Sequence, residues 1–267
     1  MPLARSGYEL HFEDISGGRP LLGGVAVVPW DTEIFGFPVA YYRIGAENLD
    51  PSARSALQER FLSWAQRNKI SVCACAIPAA NSSWKLYLPE IGFRFVDLSM
   101  EAALHGLGTA TWPNLHPLRL AEPADWSSVE SLAARSFAHG RYHADPLFPR
   151  ELADRRYAEW VRRALGGGDG ADRVYVMGDP VAVQCFYHVT VAGENADIRL
   201  NAIAPELQGK GLGAELYGSV LQLLKEAGVR RVVTSISASN TAAVNIYSKL
   251  GFRFSKPELI YHWHTPG

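Results

Sequence analysis

The chain has 267 residues, of which 48% are hydrophobic and 20% charged, and its formal net charge is −1 at pH 7. This length allows one large domain or two small ones, and the near-neutral charge argues against a polyanion such as nucleic acid as a partner. The N-terminal stretch MPLARSGYELHFEDI lacks the apolar core of a signal peptide, and no apolar run is long enough to span a bilayer. We therefore expect a cytoplasmic protein that binds neither nucleic acid nor membranes.

The N-terminal half contains a segment that is repeated later in the chain. Asp50 and Pro51 predict the start of a helix that ends near Asn68. A shift of 159 residues then places residues 70–95 on residues 229–254. The identical pairs include Ile77 with Ile236, Asn81 with Asn240, Gly92 with Gly251 and Phe93 with Phe252. Such a repeat indicates two copies of one fold, although a coincidental similarity in a short window is the alternative.

The three cysteines are Cys73, Cys75 and Cys185, and all lie in apolar, strand-like runs. An odd count without a regular framework is typical of a reducing compartment. Cys73 and Cys75 are separated by one residue and have no partner pair, so we predict no zinc site there and no metal site elsewhere.

A change of composition at residues 105–117 (HGLGTATWPNLHP) predicts a linker. It divides the chain into an N-terminal domain, 1–110, and a C-terminal domain, 117–267. After the linker we predict a strand, a helix from Asp125 to Ala138 with Asp125 as its cap, and a second helix, Arg150–Leu165. Two strands, near residues 173–177 and 180–191, follow.

A glycine-rich loop then connects a strand to an amphipathic helix. The stretch Ala196–Ala204 reads as a buried or half-buried strand. Apolar residues at three- and four-residue spacing mark the helix, and Gly228 ends it. These residues are Leu212, Leu216, Val220, Leu223 and Ala227. A helix N-terminus presents unpaired N–H groups and a positive dipole end, so this loop suits a phosphate.

Three phosphate-binding motifs are possible interpretations of this loop. A glycine-rich turn that binds no ligand is a fourth. A P-loop requires Ser or Thr after Gly-Lys, but Gly209-Lys210 is followed by Gly211. A dinucleotide-binding fingerprint is formally satisfied by Gly209, Gly211 and Ala214, but the next strand carries no acidic residue for the ribose. The third motif is the Gln/Arg-x-x-Gly-x-Gly/Ala loop of the GNAT acyltransferases, which Gln208–Ala214 resembles.

The next two elements favour the third motif. A β-branched strand, Val229–Ser237, is followed by a short helix between a predicted N-cap, Asn240, and a predicted C-terminal glycine, Gly251. The spacing of Asn240, Tyr247, Gly251 and Phe252 resembles the second GNAT motif. The C-terminal elements then have the order β-α-α-β-β-β-α-β-α-β, which is that of the family.

The resemblance implies an α/β (mixed α+β) fold of the GNAT type, with a central, mostly antiparallel sheet flanked by helices. A degenerate GNAT-like domain precedes it, because the first repeat lacks the glycine loop and has Leu88 where the second has Tyr247. The implied cofactor is acetyl-CoA. The implied coenzyme-binding residues are Ala202, Ile203, Ala204, Gln208, Gly209, Lys210, Gly211, Leu212, Gly213, Ala214, Asn240 and Tyr247.

The resemblance also implies that Tyr247 is the general acid of an acetyl transfer to an amine. A phenol can return a proton to a departing thiolate, since a Tyr has a pKa of about 10 and a free thiol about 8.5. No cysteine near these motifs suggests a covalent acyl intermediate, so direct attack within a ternary complex is expected. The alternative for Tyr247 is a core tyrosine with a satisfied hydroxyl.

Residues 29–37 and 136–146 resemble segments of the dTDP-fucosamine acetyltransferase family, which acetylates a nucleotide-linked 4-amino sugar. The resemblance implies a small-molecule amine as acceptor, with Arg141, Tyr142, His143 and Asp145 near it. A structural role for this segment, including an Arg141–Asp145 pair, is the alternative.

Two other functions stay open. In the first, the chain is a GNAT acetyltransferase that acts on an antibiotic amine, an amino acid, a polyamine or a protein N-terminus. In the second, it is a non-catalytic regulator that binds acyl-CoA. A homodimer is possible through the C-terminal strand Glu258–His264.

Overall fold

A computed structural model describes residues 10–15, 23–44, 51–168 and 170–266. The strands are β1 (Glu13–Asp14), β2 (Gly24–Val27), β3 (Val39–Arg43), β4 (Val72–Pro78), β5 (Arg94–His105), β6 (Arg119–Leu120), β7 (Asp172–Asp179), β8 (Ala182–Ala192), β9 (Asn195–Ile203), β10 (Arg231–Ser237) and β11 (Arg253–His264). The helices are α1 (Pro29–Phe35), α2 (Pro51–Arg67), α3 (Ser82–Glu90), α4 (Trp126–Ser136), α5 (Arg150–Leu165), α6 (Gly213–Glu226) and α7 (Thr241–Lys249). Within these ranges, no helix combines the length and apolarity needed to cross a bilayer.

The chain forms two compact units. Unit 1 comprises residues 100–143 and 148–255, and unit 2 comprises the described residues up to 99 together with 144–147 and those from 256 onward. The predicted domains, 1–110 and 117–267, stay a prediction, because the units follow a different division. Asp50, the predicted cap of α2, lies outside the described residues.

Unit 1 has the predicted mixed α/β architecture. Strands β6, β7, β8 and β9 form an antiparallel ladder, and β10 pairs in parallel with β9. The element order from β6 to β11 is the predicted one, and α5 begins and ends at the predicted residues. Helix α6 packs an apolar face that includes Leu216 and Val220 into the core of this unit, as its periodicity indicates.

The internal repeat is present in the structure. The shift of 159 residues places both ends of β4, α3 and β5 on the ends of β10, α7 and β11. Each of the two helices begins after an asparagine cap. Asn81 Oδ1 accepts a hydrogen bond from the Trp84 amide at 3.2 Å, and Asn240 Oδ1 accepts one from the Ala243 amide at 3.1 Å. The same local signals therefore produce the same strand and helix in both units.

Unit 2 fills its core with aromatic side chains. Strand β3 pairs in parallel with β4 from Val39 to Tyr42, which is almost its whole length. The Tyr42 ring stacks on Phe61 with centroids 5.5 Å apart and contacts Trp84 edge-on at 6.0 Å. Leu88, the counterpart of Tyr247, is fully buried in the same cluster. This core is a packed interior, in agreement with the predicted degenerate copy.

The C-terminal strand belongs to unit 2. Residues Glu258–His264 of β11 pair antiparallel with β4, from Glu258 opposite Pro78 to His264 opposite Val72. In strand order β11 lies between β4 and β5. The expectation that this strand offers a free edge for a dimer is therefore wrong, because β11 is an interior strand.

The predicted capping role of Asp125 is also wrong. Its side chain makes no hydrogen bond to the N-terminus of α4. The buried carboxylate instead accepts two hydrogen bonds from Arg119, at 2.6 and 2.7 Å, and one from the Glu122 amide at 2.7 Å. A bidentate guanidinium outcompetes a single capping bond, because charged partners make stronger hydrogen bonds.

We predict that Asp125→Asn lowers the free energy of unfolding by roughly 2 kcal/mol at pH 7, because it leaves the Arg119 guanidinium without its carboxylate. Hydrogen bonds from Arg119 lower the pKa of Asp125, although burial opposes this effect. The contribution is therefore complete above about pH 4 and is lost as the pH falls through the folded-state pKa. Urea unfolding at pH 7 and at lower pH measures both effects.

Asp179→Asn is the matched control, since Asp179 is an exposed carboxylate that also acts on Arg119. It is expected to change the free energy of unfolding by less than about 0.5 kcal/mol. Equal effects of the two substitutions would contradict a special role for the buried pair.

Candidate functional site

Strands β9 and β10 part soon after they begin. They pair in parallel at Asn195, Ala196 and Asp197 of β9, and β9 continues to Ile203. The Thr234 hydroxyl donates to the Ile198 carbonyl at 2.9 Å just beyond the last pair. Further along, the β9 backbone has no ladder partner in β10 among the described residues. Unpaired backbone groups at the end of a strand are available to a ligand.

The predicted coenzyme residues Ala202, Ile203 and Ala204 lie at this parted end of β9. On its other side, β9 stays bonded to β8, and the Ala204 amide donates to the Gln184 carbonyl at 2.8 Å. The Gln208 side chain donates to the Ile203 carbonyl at 2.9 Å, which ties the following loop to the strand end.

The glycine loop has the backbone that its sequence predicts. Gly209 and Gly211 have φ angles of 73° and 81°, in the left-handed region that disfavours other residues. A Cβ added at either position would meet no atom within 4 Å, so open space lies beside both. Gly213 serves packing, because a Cβ there would lie 2.4 Å from Cδ1 of Ile246 on α7. The three glycines therefore have two different physical roles.

The loop leads directly into the N-terminus of α6. The cap residue of this helix, Leu212, provides no side-chain hydrogen bond, so the first N–H groups have no capping side chain. Ala214 lies in the first turn, and Lys210 is exposed in the loop before it. An anion is stabilised at such a helix end by N–H groups and by the helix dipole. The residues from Gln208 to Ala214 therefore fit a pyrophosphate group.

Tyr247 lies on α7 with only 3% of its surface exposed. Its hydroxyl is 2.5 Å from the Tyr217 hydroxyl and also hydrogen-bonds to Thr234 and Asn201. Burial raises the pKa of Tyr247, and the hydrogen bonds lower it only in part. The phenol is therefore protonated at neutral pH. Because Asn201 belongs to the parted section of β9, the hydroxyl is connected to that section.

Asn240 performs the capping role described above, which the sequence predicted. Its predicted contact with the coenzyme stays a prediction.

The four predicted acceptor residues belong to two different units, and their place near the acceptor stays a prediction. Arg141, Tyr142 and His143 belong to unit 1, whereas Asp145 belongs to unit 2. The Arg141 guanidinium lies 4.8 Å from the Tyr142 ring centroid and donates to its hydroxyl at 3.3 Å. His143 Nε2 lies 2.8 Å from Asp154 Oδ1, and the His143 ring stacks on Tyr157.

The suggested Arg141–Asp145 pair is replaced by a different one. Asp145 Oδ2 is 2.7 Å from His262 Nδ1 and 2.7 Å from His264 Nε2. Burial alone would raise the pKa of Asp145, but hydrogen bonds from the two histidines and from the Leu147 amide hold it well below its usual range. Sequence reasoning missed both histidines, although their alternation on β11 places them on one face of the strand.

Comparison with known proteins agrees with this geometry. Residues 126–252 match the model of the Acetyltransferase (GNAT) family. Curated relatives include the spore coat polysaccharide biosynthesis protein SpsD of Bacillus subtilis, 25% identical over 56% of this chain and 51% of its own length. The dTDP-fucosamine acetyltransferase of Escherichia coli is 24% identical over 87% of this chain and 94% of its own length. A mycothiol acetyltransferase of Renibacterium salmoninarum is 27% identical over 64% of this chain and 50% of its own length. The chain thus spans about half the length of the first and third relatives.

Solved structures share the fold. A GCN5-related N-acetyltransferase from Sphaerobacter thermophilus superposes with a TM-score of 0.65 and 15% identity, over 92% of this chain and 78% of that one. A tandem GNAT protein from the clavulanic acid biosynthesis pathway superposes with a TM-score of 0.56 and 14% identity, over 94% and 81%. With its motifs, its parted strands and these matches, the chain contains an acetyltransferase domain of the GNAT type, which spans residues 126–252.

Proposed function

We propose that the chain is an acetyl-CoA-dependent N-acetyltransferase that acts on a primary amine of a small molecule. The observation that carries this proposal is the separation of β9 from β10 near the N-terminus of α6. This helix N-terminus has no side-chain cap, so its first N–H groups are available to a ligand. Acetyl-CoA supplies the acetyl group as a thioester. The N–H groups of residues 208–214 would hold its pyrophosphate, and the backbone of Ala202–Ala204 would orient the thioester end. Asn240 would contact the arm between them.

Tyr247 is the proposed general acid. It holds a proton on Oη, where burial keeps the phenol neutral, and the Tyr217 hydroxyl at 2.5 Å fixes its orientation. A buried phenol of this kind is suited to protonate a departing sulfur, since the thiol pKa of about 8.5 lies below that of the phenol. The amine would attack directly within a ternary complex, where positioning contributes much of the rate.

The proposed acceptor is the amino group of a nucleotide-linked amino sugar. The dTDP-fucosamine acetyltransferase is similar along nearly the full length of both chains, which supports an acceptor of the same class. The similarity to mycothiol acetyltransferases covers about half of those proteins. Another small amine is therefore the second candidate. A regulator that binds acyl-CoA without turnover is the third, and the protonated Tyr247 argues against it.

The first prediction concerns the acceptor. In a thiol-release assay with acetyl-CoA, we expect turnover with dTDP-4-amino sugars and none with aminoglycosides, polyamines or N-terminal peptides. Free amino sugars are the matched comparison, because they carry the same amine without the nucleotide. Turnover with a different amine would reassign the acceptor and keep the chemistry. Binding of acetyl-CoA without turnover on any amine would favour the regulator.

The second prediction concerns the general acid. We expect Tyr247→Phe to lower turnover at least tenfold, about 1.4 kcal/mol in the barrier, with unchanged affinity for acetyl-CoA. Tyr187→Phe is the control, since Tyr187 is fully buried beside Tyr217 and its hydroxyl has no hydrogen-bond partner among the described residues. Steady-state kinetics and calorimetric titration with acetyl-CoA separate the two effects. Unchanged turnover in Tyr247→Phe would remove this residue from the acid role.

The third prediction concerns the cradle. We expect Gly211→Ala to weaken acetyl-CoA binding at least about tenfold, because the left-handed backbone is strained and the N–H groups shift. Gly193→Ala is matched in backbone cost, since Gly193 also has a positive φ and open space but lies in the turn between β8 and β9. If calorimetry gives the same affinity for both variants, the loop does not hold the coenzyme.

A further inference from the structure

Unit 2 contains a cluster of two imidazoles and one carboxylate to which the proposed acetyl transfer assigns no chemical step. The ligand-type atoms of Asp145, His262 and His264 all lie within 4.8 Å of one another. The His262 side chain is fully buried, the Asp145 side chain is 3% exposed and the His264 side chain is 20% exposed. The cluster is thus shielded on most sides and is reachable from solvent at His264.

The backbone holds the three side chains in place. His262 and His264 alternate on β11, so both point to one face of the strand, and both positions are paired with β4. Asp145 belongs to the short segment 144–147 that forms part of unit 2. Its second oxygen, Oδ1, accepts a hydrogen bond from the Leu147 amide at 3.0 Å. This bond orients the carboxylate in the way that outer-shell hydrogen bonds orient metal ligands.

We propose that Asp145, His262 and His264 form a binding site for a divalent transition metal, with Zn²⁺ as the best-suited ion. Two neutral imidazoles and one carboxylate are the donor set that Zn²⁺ and its neighbours prefer, and they offset one of its two charges. Three protein ligands leave a coordination position for water. The ion would join residues 144–147 to β11 within unit 2.

Binding requires the three ligand atoms, which lie within 4.8 Å of one another, to rearrange around the ion. In the structure both histidine nitrogens are at hydrogen-bond distance from the same oxygen, 2.7 Å in each case. Metal bonds of about 2.0 to 2.2 Å in a tetrahedron place ligand atoms roughly 3.3 Å apart, so each contact opens by about half an ångström. In the metal-free protein the facing nitrogens hold the protons that bond to Asp145. On metal binding each facing nitrogen would offer its lone pair to the ion, and its proton would move to the other ring nitrogen or to solvent. No redox change or second reactant is involved.

Only the second repeat carries the pair of histidines. The shift of 159 residues places His264 on His105 but His262 on Ala103, so the first repeat lacks the pair. The fold itself therefore does not demand the two histidines. The prediction of no metal site rested on local spacing, and a carboxylate 117 residues away from its partner imidazole gives no local signal.

The test uses the full chain, freed of metal with a chelator and titrated with Co²⁺ and then Zn²⁺. We expect one Co²⁺ per chain, with visible absorption bands of a low-symmetry site that Zn²⁺ abolishes. His264→Gln should lower the affinity at least tenfold, and Asp145→Asn should lower it as well. His105→Gln is the matched control, because His105 is the exposed repeat counterpart of His264 and should leave the affinity unchanged.

A second measurement covers the case in which Asp145→Asn fails to fold. Zn²⁺ should raise the thermal unfolding midpoint of the unaltered chain and of His105→Gln, but not that of His264→Gln. We expect His264→Gln to fold, because the His264 side chain is partly exposed. The inference is overturned if the unaltered chain binds no Co²⁺ or Zn²⁺, or if His264→Gln binds them equally well. These readouts involve no acetyl transfer, so their failure is distinguishable from failure of the proposed function.

Discussion

The site depends on one constraint, the separation of β9 from β10 after three residue pairs. A continuous parallel ladder would consume the backbone groups that a ligand needs. Because the strands part, the end of β9 keeps its ladder with β8, and the loop that follows it enters α6 beside the opening. Asn201, on the parted section, hydrogen-bonds to Tyr247. The opening thus brings together a helix N-terminus suited to an anion and a protonated phenol.

The repeat in unit 2 lacks this separation of neighbouring parallel strands. In unit 2, β3 and β4 stay paired along almost all of β3, and aromatic rings fill the interior. Leu88 occupies the position of Tyr247 and cannot hold a proton. The same strand–helix–strand frame, with the same asparagine cap, therefore carries the proposed chemistry in one unit and an aromatic core in the other.

Buried polar groups mark the specialised places in each unit. In unit 1, three tyrosines lie in contact: Tyr187 meets Tyr217 edge-on, and Tyr217 shares a short hydrogen bond with Tyr247. In unit 2, the buried Asp145 carboxylate lies between two imidazoles. Burying such groups is costly unless they are paired, and both clusters meet this requirement through their hydrogen bonds. Tyr217 and Tyr247 serve the proposed proton transfer, and the Asp145 cluster serves the proposed metal.

The sequence by itself determined the features that depend on neighbouring residues. Left-handed glycines, asparagine caps and apolar periodicity act within a turn or two, so the loop, α7 and the bounds of α5 could be predicted. Partners that are distant in sequence could not. Asp125 pairs with Arg119 across a turn instead of capping α4, Asp145 meets His262 and His264, and β11 is enclosed by β4 and β5. Tertiary structure decided these, because many carboxylates and strands compete for each partner and only the global packing selects one.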